Sequence, residues 1–423
     1  MIRCGIYETD ITPMLGMEIP GYFEMRHADG VREELYAEAV YFENEGKKAV
    51  IISCDTILVP MESCEKSRNI IAKRLDMSPD GIMICATHSH TSAPVETWGE
   101  FVHLDDWYVD FLERRIIDSA CLAAQRARDV KLSFALGHED KIAYYRNYIC
   151  SDGSLHTWRS DDAKPYGDID PEVGVLRIDN ADGTQYGVIV NYACHCDCVG
   201  GKKFSSDYPG EMRKTLRKLY GDDFMPVFIN GFCGNINHCD PNSFHNYPEH
   251  YKRMGRMLAA DTARTLELAT DIFDDNTISS SLRIMAIDAR VPDAELIGWA
   301  DAVLSSENQN ERDLFYAREI KICEEKGSHK VSCPIQVIRI GETAFYGMPG
   351  EIYVEFGKML KEKSPIKYNI PVNLANGCNK YVPIRELFAP DIYESSIGMS
   401  NVLIPDAGYM MVDELIAMAE EIK

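Results

Sequence analysis

The sequence predicts an α/β protein in which mixed, buried sheets are flanked by helices. Two observations support this fold class. Short apolar segments with the composition of buried strands alternate with longer helical segments along most of the chain. The 423 residues also contain no low-complexity tract, no long linker rich in Pro, Gly or Ser, and no internal repeat. We therefore expect a single domain spanning residues 1–423.

The N-terminal third is predicted to contain three strands and two helices. The strands are expected at 37–42, 49–53 and 81–86, and the helices at 63–75 and 107–127. A turn-like segment, 43–46, separates the first two strands. In the second helix, Leu112, Ile116 and Ala120 recur at the helical period, which predicts one buried face.

The middle of the chain repeats this alternation. Strands are expected at 173–178, 186–193 and 225–229, and helices at 211–219 and 251–270. The C-terminal third is predicted to contain a strongly charged helix, a hairpin and a final helix. Their expected bounds are 293–326 for the charged helix, 332–340 with 343–348 for the hairpin, and 351–363 for the final helix.

The charge of the chain excludes some partners. Lys and Arg number 44 and Asp and Glu 67, which gives a formal net charge of −23. A chain this acidic is poorly suited to holding nucleic acid or an anionic membrane surface. The longest apolar run, at 49–60, is interrupted by Asp55 and is far shorter than the roughly 18–20 residues of a membrane span. We therefore expect neither nucleic-acid binding nor integral membrane association.

The cysteines and the N-terminus indicate a compartment. The first residues, MIRCG, contain no basic region followed by an apolar stretch, so no secretory signal is predicted. Fourteen cysteines in such a chain are typical of free thiols or metal ligands in a reducing environment. We expect a bacterial-type cytoplasmic protein.

Two histidines, His88 and His90, follow the predicted strand at 81–86. In an extended segment, residues two apart point to the same side, so both imidazoles could reach one site. One could bind a metal ion while the other moves protons near pH 7. The alternative is that both are structural histidines with satisfied hydrogen bonds.

A cysteine-rich segment, CHCDC at 194–198, follows the predicted strand at 186–193. Its thiols could bind zinc or an iron–sulfur cluster, or pack as small buried hydrophobic groups, which is the interpretation we favour. On an extended chain His195 points away from Cys194, Cys196 and Cys198. His195 is therefore expected to belong to a different site from the three thiols.

A loop rich in Gly and Asn occupies residues 230–241. Its glycines permit close backbone approach to a ligand, and its N–H groups could stabilise an anion, although a purely structural turn is the alternative. Cys233, His238 and Cys239 in this loop could form a second metal site.

Glu351 follows a Pro-Gly turn and is expected to begin a helix. A carboxylate in a first helical turn is stabilised by the helix dipole, which is the structural interpretation. The functional interpretation is an ionised metal ligand. For Tyr381 and Tyr393, composition alone indicates core or rim residues.

These groups share one placement along the predicted sheets. His88 and His90, His195, the 230–241 loop and Glu351 each come at the end of a strand. In α/β folds, sites form in the crevice at the carboxyl ends of strands. Four strands that deliver such residues indicate a site more strongly than any one motif.

The order of these motifs resembles the N-terminal catalytic domain of the neutral/alkaline (non-lysosomal) ceramidase family. The segment ATHSHTSAP at 86–94 is similar to that family's T-H-T-H-S-G-P, and YETDITP at 7–13 is similar to its A-D-I-T-P opening. Further similarities lie at Arg146 in YRN, SSDYPG at 205–210, PGE at 349–351, Tyr381 in the place of N-x-Y-x-x-Y, and YESS at 393–396.

The resemblance implies one zinc ion and four ligands: His88, His195, Glu351 and Tyr381. Two imidazoles, a carboxylate and a phenol oxygen are a chemically sensible set for zinc. The resemblance further implies that His90 is the proton-transferring base and acid. Arg146 and Tyr393 would orient the substrate and stabilise an oxyanion.

Three features depart from the family pattern. Gly231 stands where ceramidases carry a serine near the metal. The chain ends at Lys423, whereas ceramidases continue into an immunoglobulin-like domain. No secretory signal and no exposed apolar loop for extracting a lipid are predicted. We therefore expect a divergent bacterial member that keeps the metal site and acts on a different substrate.

The resulting hypothesis is a zinc-dependent hydrolase in which a zinc-bound water attacks an amide or ester of a small, soluble substrate. Three alternatives stay open: a zinc-dependent glycoside-cleaving enzyme, a genuine ceramidase, and a non-catalytic metal-containing binding protein. The tryptophans at 98, 107 and 158 could stack on sugars in the first alternative, although ordinary packing is the interpretation that we favour for them. The sequence leaves the oligomeric state and the substrate open.

Overall fold

A computed structural model describes residues 2–99, 101–158, 162–240, 249–307, 310–398 and 400–423. Two sheets dominate these ranges. The larger has eight strands, in the spatial order Met225–Asn230, Gln185–Tyr192, Glu172–Asn180, Arg128–His138, Arg3–Asp10, Tyr36–Asn44, Lys47–Cys54 and Ile82–Ala86. The smaller has four, in the order Ile278–Asp288, Lys330–Ile340, Thr343–Gly347 and Tyr368–Val372.

Parallel pairing occurs where the chain crosses over between strands. Gln185–Tyr192 runs parallel to Met225–Asn230, and Lys47–Cys54 runs parallel to Ile82–Ala86. Each crossover contains an α-helix, as parallel strands require. Ile82–Ala86 is buried along its whole length, which explains its uninterrupted apolar sequence.

The described ranges contain eight α-helices, most of which pack against the outer faces of the sheets. They are Met61–Leu75, Asp106–Gln125, Asp207–Tyr220, His250–Leu268, Ala294–Ser305, Glu311–Lys326, Val354–Lys363 and Ala407–Ile422. Three short 3₁₀ turns lie at Pro79–Gly81, Arg385–Leu387 and Tyr393–Ser395. No described helix combines the length and apolar character that crossing a bilayer requires.

Within the described residues, nine two-residue strands connect the loops around the sheet ends. They are Gly30–Val31, Tyr144–Tyr145, Tyr148–Ile149, Leu155–His156, Lys164–Pro165, Lys203–Phe204, Ile236–Asn237, Glu351–Ile352 and Tyr381–Val382. Several of these pairs join segments distant in sequence, such as Ile236–Asn237 with Tyr144–Tyr145. They fix the loops that surround the candidate site.

The core is arranged in layers. Alternate residues of the large sheet, such as Ile51 and Phe134, pack against Ile338 and Phe345 of the small sheet. The opposite face of the large sheet packs against four helices, and the opposite face of the small sheet packs against the last two. This helix–sheet–sheet–helix order confirms the predicted fold class of mixed, buried sheets flanked by helices.

Most predicted elements are present, and two predictions are wrong. The charged segment 293–326 forms two helices rather than one; residues 308 and 309 between them lie outside the described ranges, as does Pro241 at the end of the polar loop. A second helix begins here because the Asn310 side chain accepts a hydrogen bond from Asp313 N–H and caps it.

The second correction concerns Glu351, which does not begin a helix. It lies in the short strand Glu351–Ile352, and the helix starts three residues later at Val354. Glu351 N–H donates to the Lys380 carbonyl at 2.9 Å, so its backbone is committed to a neighbouring strand. The structural interpretation of this carboxylate as a helix-start residue is therefore excluded.

Candidate metal centre

The polar residues predicted at strand ends meet at one edge of the two sheets. His88 follows Ile82–Ala86, and His195 follows Gln185–Tyr192. Glu351 follows the small-sheet strand Thr343–Gly347 and lies opposite Tyr381 in a parallel strand pair. The fold therefore brings four segments, widely separated in sequence, to one place.

Glu351 lies between two histidines. Its Oε2 atom is 3.1 Å from His88 Nε2 and 3.2 Å from His195 Nε2. His195 and His88 are fully or almost fully buried, and Glu351 is 9% exposed. Ligands with bonds of about 2.0–2.2 Å to one tetrahedral ion are about 3.3–3.6 Å apart, so a small outward shift of these atoms would suit a shared metal.

The second nitrogen of each histidine ring is held by a backbone carbonyl. His88 Nδ1 lies 2.8 Å from Ile57 O, and His195 Nδ1 lies 2.8 Å from Cys233 O. His90 Nδ1 lies 3.0 Å from Gly21 O. A carbonyl can only accept, so each Nδ1 must donate its proton, and each neutral ring turns an unprotonated Nε2 toward the site.

Two of these unprotonated nitrogens face each other. His90 Nε2 lies 3.2 Å from His88 Nε2. Two lone pairs at this distance repel unless a cation, either a proton or a metal ion, lies between or beside them. His88, His90 and His195 have nitrogens within 4.8 Å of one another, and the three form a group that could bind a metal ion.

The two histidines of the H-x-H motif reach the site by a route that the sequence does not predict. His88 adopts a left-handed backbone with φ of +70°, so the segment is not extended. Its N–H donates to Thr56 O, and His90 N–H donates to Cys196 O. These bonds turn the chain so that the imidazoles meet, with ring centroids 4.7 Å apart.

Burial and mutual charge set the protonation preferences of the cluster. Burial opposes protonation of His88, but the Glu351 carboxylate outweighs it and raises the pKa of the ring. Burial and the neighbouring His88 lower the pKa of His90 to about 3. Burial and Arg146 lower the pKa of His195. The cluster thus favours a single positive charge beside Glu351.

Arg146 lies beneath the site rather than in its opening. Its Nε donates to Glu394 Oε1 at 2.7 Å and one terminal nitrogen donates to Gly234 O at 2.7 Å. The guanidinium carbon lies 5.4 Å from the Tyr381 ring centroid. Burial and Glu351 raise the pKa of the Tyr381 phenol, and Arg146 opposes this by favouring the phenolate.

Tyr393 stands beside Tyr381 on a short 3₁₀ turn. The two ring centroids are 5.6 Å apart, with the rings close to perpendicular. Tyr393 N–H donates to Thr157 Oγ1 at 2.7 Å, which anchors the turn. The next residue, Glu394, is fully buried and accepts hydrogen bonds from Arg146, Asn147 and Thr157.

A cleft opens onto these residues. Its empty volume is about 560 Å³, counted with the solvent at its mouth. Five of the site residues predicted from the sequence line it: His88, His90, Glu351, Tyr381 and Tyr393. His195 and Arg146 do not line the described part of the cleft. They lie behind the residues that line it.

Two solved structures share this architecture. The first is neutral ceramidase from Pseudomonas aeruginosa, with a TM-score of 0.77 and 20% sequence identity. The chain has a neutral-ceramidase-like fold. The second is a ceramidase complexed with C2, with a TM-score of 0.75 and 17% identity. Each match covers 99% of this chain and 74% of the other. No protein-family model and no curated protein sequence matches the chain.

The neutral-ceramidase-like fold places Gly231 where little room exists for a larger residue. A Cβ atom there would lie 3.1 Å from Ala193 Cβ and 3.2 Å from its backbone nitrogen. Gly231 N–H donates to Tyr192 O at 2.9 Å, which holds the backbone at this close approach. A serine at this position would press against Ala193, so the glycine suits the local packing.

The cysteines of the two candidate clusters take other roles. Cys194, Cys196 and Cys233 are buried in the hydrophobic core. Cys239 is exposed, with Sγ 3.8 Å from His238 Nε2. Across the described ranges, these residues are not gathered into a group of three that could hold a metal ion.

Several residues of the site have no clear sequence signal. Gly21 has φ of +110°, and a Cβ atom there would lie 2.7 Å from His90 Nδ1. Cys378 and Lys380 line the cleft. A Pro-Gly pair at 20–21 in an otherwise irregular segment is the one pattern that could have drawn attention to Gly21.

Proposed function

We propose that this chain is a zinc-dependent hydrolase that cleaves an amide or ester bond. The observation that supports it most is the convergence of three imidazole Nε2 atoms, each with its Nδ1 held by a carbonyl, around the Glu351 carboxylate. Such outer hydrogen bonds orient metal-binding histidines in known sites. The resemblance to ceramidase structures supports hydrolysis of an acyl bond.

The proposed ligands are His88, His195, Glu351 and Tyr381. Glu351 Oε2 lies 3.1 Å from His88 Nε2 and 3.2 Å from His195 Nε2. Glu351 is held opposite Tyr381 by the strand pairing of their backbones. Two nitrogens and two oxygens suit zinc, and they leave room for a water or substrate oxygen.

His90 is the proposed proton carrier. It lines the cleft, is less buried than His88, and is fixed through Nδ1 by the Gly21 carbonyl. Its Nε2 can take a proton from an attacking water and give it to the leaving group. When bound, zinc would polarise the carbonyl oxygen and lower the pKa of a water molecule toward about 7.

Tyr393 and Arg146 have different proposed roles. Tyr393 lines the cleft beside Tyr381, where its hydroxyl can donate to the substrate carbonyl oxygen as negative charge develops. Two donors of Arg146 go to Glu394 and Gly234, and a third nitrogen lies 3.5 Å from His195 Nε2. We therefore propose that Arg146 acts through Tyr381 and His195, as a positioning residue.

The proposal is tested by metal content and turnover measured together. We expect one zinc per chain by elemental mass spectrometry, lost in His88→Ala and kept in His103→Ala, an exposed histidine paired with Glu18. The zinc-loaded protein is then assayed on N-acyl amides, esters, a short-chain ceramide and glycosides. Hydrolysis of an amide or ester that depends on His88 supports the proposal.

Other outcomes discriminate the alternatives. Turnover of the ceramide alone would make the chain a ceramidase. Glycoside cleavage alone would favour the carbohydrate alternative, for which Trp98 in the cleft offers a stacking surface. Absence of metal after reconstitution would contradict the proposal and favour a binding protein.

A further inference from the structure

Lys380 stands out among the residues that line the cleft. Among the described side chains that line the cleft, Lys380 and Glu351 are the two that belong to the Lys, Arg, Asp and Glu types, which are charged at neutral pH. Glu351 is already matched by His88 and His195. Outside the proposed metal centre, the Lys380 ammonium is therefore the cationic feature that a substrate would meet in the described part of the cleft.

The backbone of Lys380 is held in a costly conformation. Its φ is +63°, in the left-handed region that glycine and asparagine adopt more cheaply. Its carbonyl accepts from Glu351 N–H at 2.9 Å, and it bridges to Asn401. Strained non-glycine residues cluster at functional sites, so this backbone conformation beside the cleft favours a use for the Lys380 side chain there.

The ammonium group is engaged by one partially exposed carboxylate. Lys380 Nζ donates to Glu96 Oε1 at 2.8 Å, and Trp98 Nε1 donates to Glu96 Oε2 at 3.0 Å. Both donors line the cleft. The side chain of Glu96 is 36% exposed, so it can turn into solvent without leaving a buried charge. The two donors thus form a cradle for a carboxylate.

We propose that the substrate carries an anionic oxygen group, such as a carboxylate, and that the Lys380 ammonium and the Trp98 indole N–H bind it in place of Glu96. The inference rests on the proposed function, because it assigns the other end of the substrate to the metal centre. The inferred substrate is an N-acyl or ester compound with an acidic group. Glu96 competes with that group for the Lys380 and Trp98 donors.

The competition gives opposite effects for two variants. Lys380→Met removes the cation and should abolish the preference for an anionic ligand, whereas Lys380→Arg should keep it. Glu96→Gln removes the competing carboxylate while keeping an oxygen acceptor, so it should strengthen that preference. A merely structural ion pair would instead be weakened by both Lys380→Met and Glu96→Gln.

The test measures binding to the zinc-loaded protein by titration calorimetry. The probes are succinate, glutarate and adipate, each compared with its half-amide, so that one carboxylate is always available to the metal. We expect at least one diacid to bind about 10- to 100-fold more tightly than its half-amide, the range of a charged hydrogen bond. The preference should disappear in Lys380→Met and increase in Glu96→Gln. No preference for any diacid, or a preference that survives Lys380→Met, would overturn the inference.

Turnover separates this inference from the proposed function. The ratio of kcat/KM for N-acetyl amino acids to that for their C-terminal amides should fall about 10- to 100-fold in Lys380→Met. Hydrolysis of both series with a ratio near one would overturn the inference and leave the hydrolase proposal standing. Diacid binding that depends on Lys380, without hydrolysis of any acyl compound, would support the inference and contradict the hydrolase proposal.

Discussion

Glu351 and Tyr381 lie directly opposite one another in a two-residue parallel strand pair, and the Glu351 N–H donates to the carbonyl just before Tyr381. The carboxylate and the phenol are thus set by backbone hydrogen bonds rather than by flexible loops. Because the pairing fixes both backbones, substituting either side chain tests its role as a metal ligand without removing these backbone hydrogen bonds.

Glu351→Gln should reduce zinc affinity at least about 100-fold. Removing even an outer hydrogen-bond partner of a metal ligand typically costs about 10- to 100-fold, and the amide also removes the negative charge between two imidazoles. Equilibrium dialysis with elemental analysis measures the effect. Glu355→Gln is the matched control, because Glu355 accepts from Tyr145 and Asn235 nearby. Full zinc occupancy in Glu351→Gln would remove this residue from the ligand set.

His90→Ala separates a proton carrier from a ligand. If His90 transfers protons, zinc content stays near one per chain while kcat falls about 10²- to 10⁴-fold. If His90 is a third imidazole ligand, as its 3.2 Å approach to His88 also permits, zinc is lost together with activity. Parallel measurement of metal content and turnover on one preparation decides between the two roles.

Gly21→Ala should impair activity through His90. The added methyl would lie 2.7 Å from His90 Nδ1 and must displace the ring. Gly16→Ala is a matched control, because Gly16 also has a positive φ, +89°, but a Cβ atom there meets nothing within 4 Å. Both variants should lose about 1–2 kcal/mol of unfolding free energy from backbone strain. Turnover should fall at least about tenfold in Gly21→Ala and stay near wild type in Gly16→Ala. Equal activities would show that displacing the His90 ring does not affect turnover, and would contradict its proposed role as proton carrier.

The His238–Asp197 pair should make stability depend on pH. The His238 Nε2 atom lies 3.3 Å from Asp197 Oδ1. Burial opposes protonation of His238, but Asp197 outweighs it and raises the pKa of the ring to about 9. A raised imidazole pKa gives stability that is fully present below the ordinary value near 6.5 and is lost as the pH rises through about 9.

His238→Gln tests this window. At pH 6 the variant should be about 1–3 kcal/mol less stable than the wild type in urea unfolding, and the difference should shrink at pH 9.5. His103→Gln, on an exposed histidine, provides the control for removing an imidazole. A difference that is constant from pH 6 to 9.5 would contradict the assignment of a charged His238.

The fold was predictable where the burial of an element requires a simple pattern of apolar residues. Ile82–Ala86 and Met225–Asn230 are apolar along most of their length because both faces are covered. Ile278–Asp288 is not predictable in this way. It is an edge strand, mostly half-buried, so its serines and Arg283 interrupt the apolar alternation. The helix Ala407–Ile422 also lacks a side-chain capping hydrogen bond at its N-terminus, so its start has no clear sequence signal.

The candidate site was predictable only as far as its motifs are local. His88 and His90 share a motif, and His195 and Glu351 follow predicted strands. Tyr381 is named only through the resemblance. The cradle of Lys380 and Glu96 joins residues 284 positions apart, and no pattern within either segment pairs them. Gly21 approaches His90 across 69 positions for the same reason. Contacts of this kind follow from how the sheets pack, and local sequence patterns do not predict that packing.

The two packed sheets of the core give the proposed zinc ion a role in stability. His88 and His195 follow strands of the eight-stranded sheet, whereas Glu351 and Tyr381 follow strands of the four-stranded sheet. A zinc ion held by all four would be a non-covalent cross-link between the two sheets. At a free concentration 1,000 times its Kd, such an ion adds about 4 kcal/mol to the unfolding free energy. Chelation would then lower the melting temperature of the whole molecule, because neither sheet could separate from the other without releasing the ion.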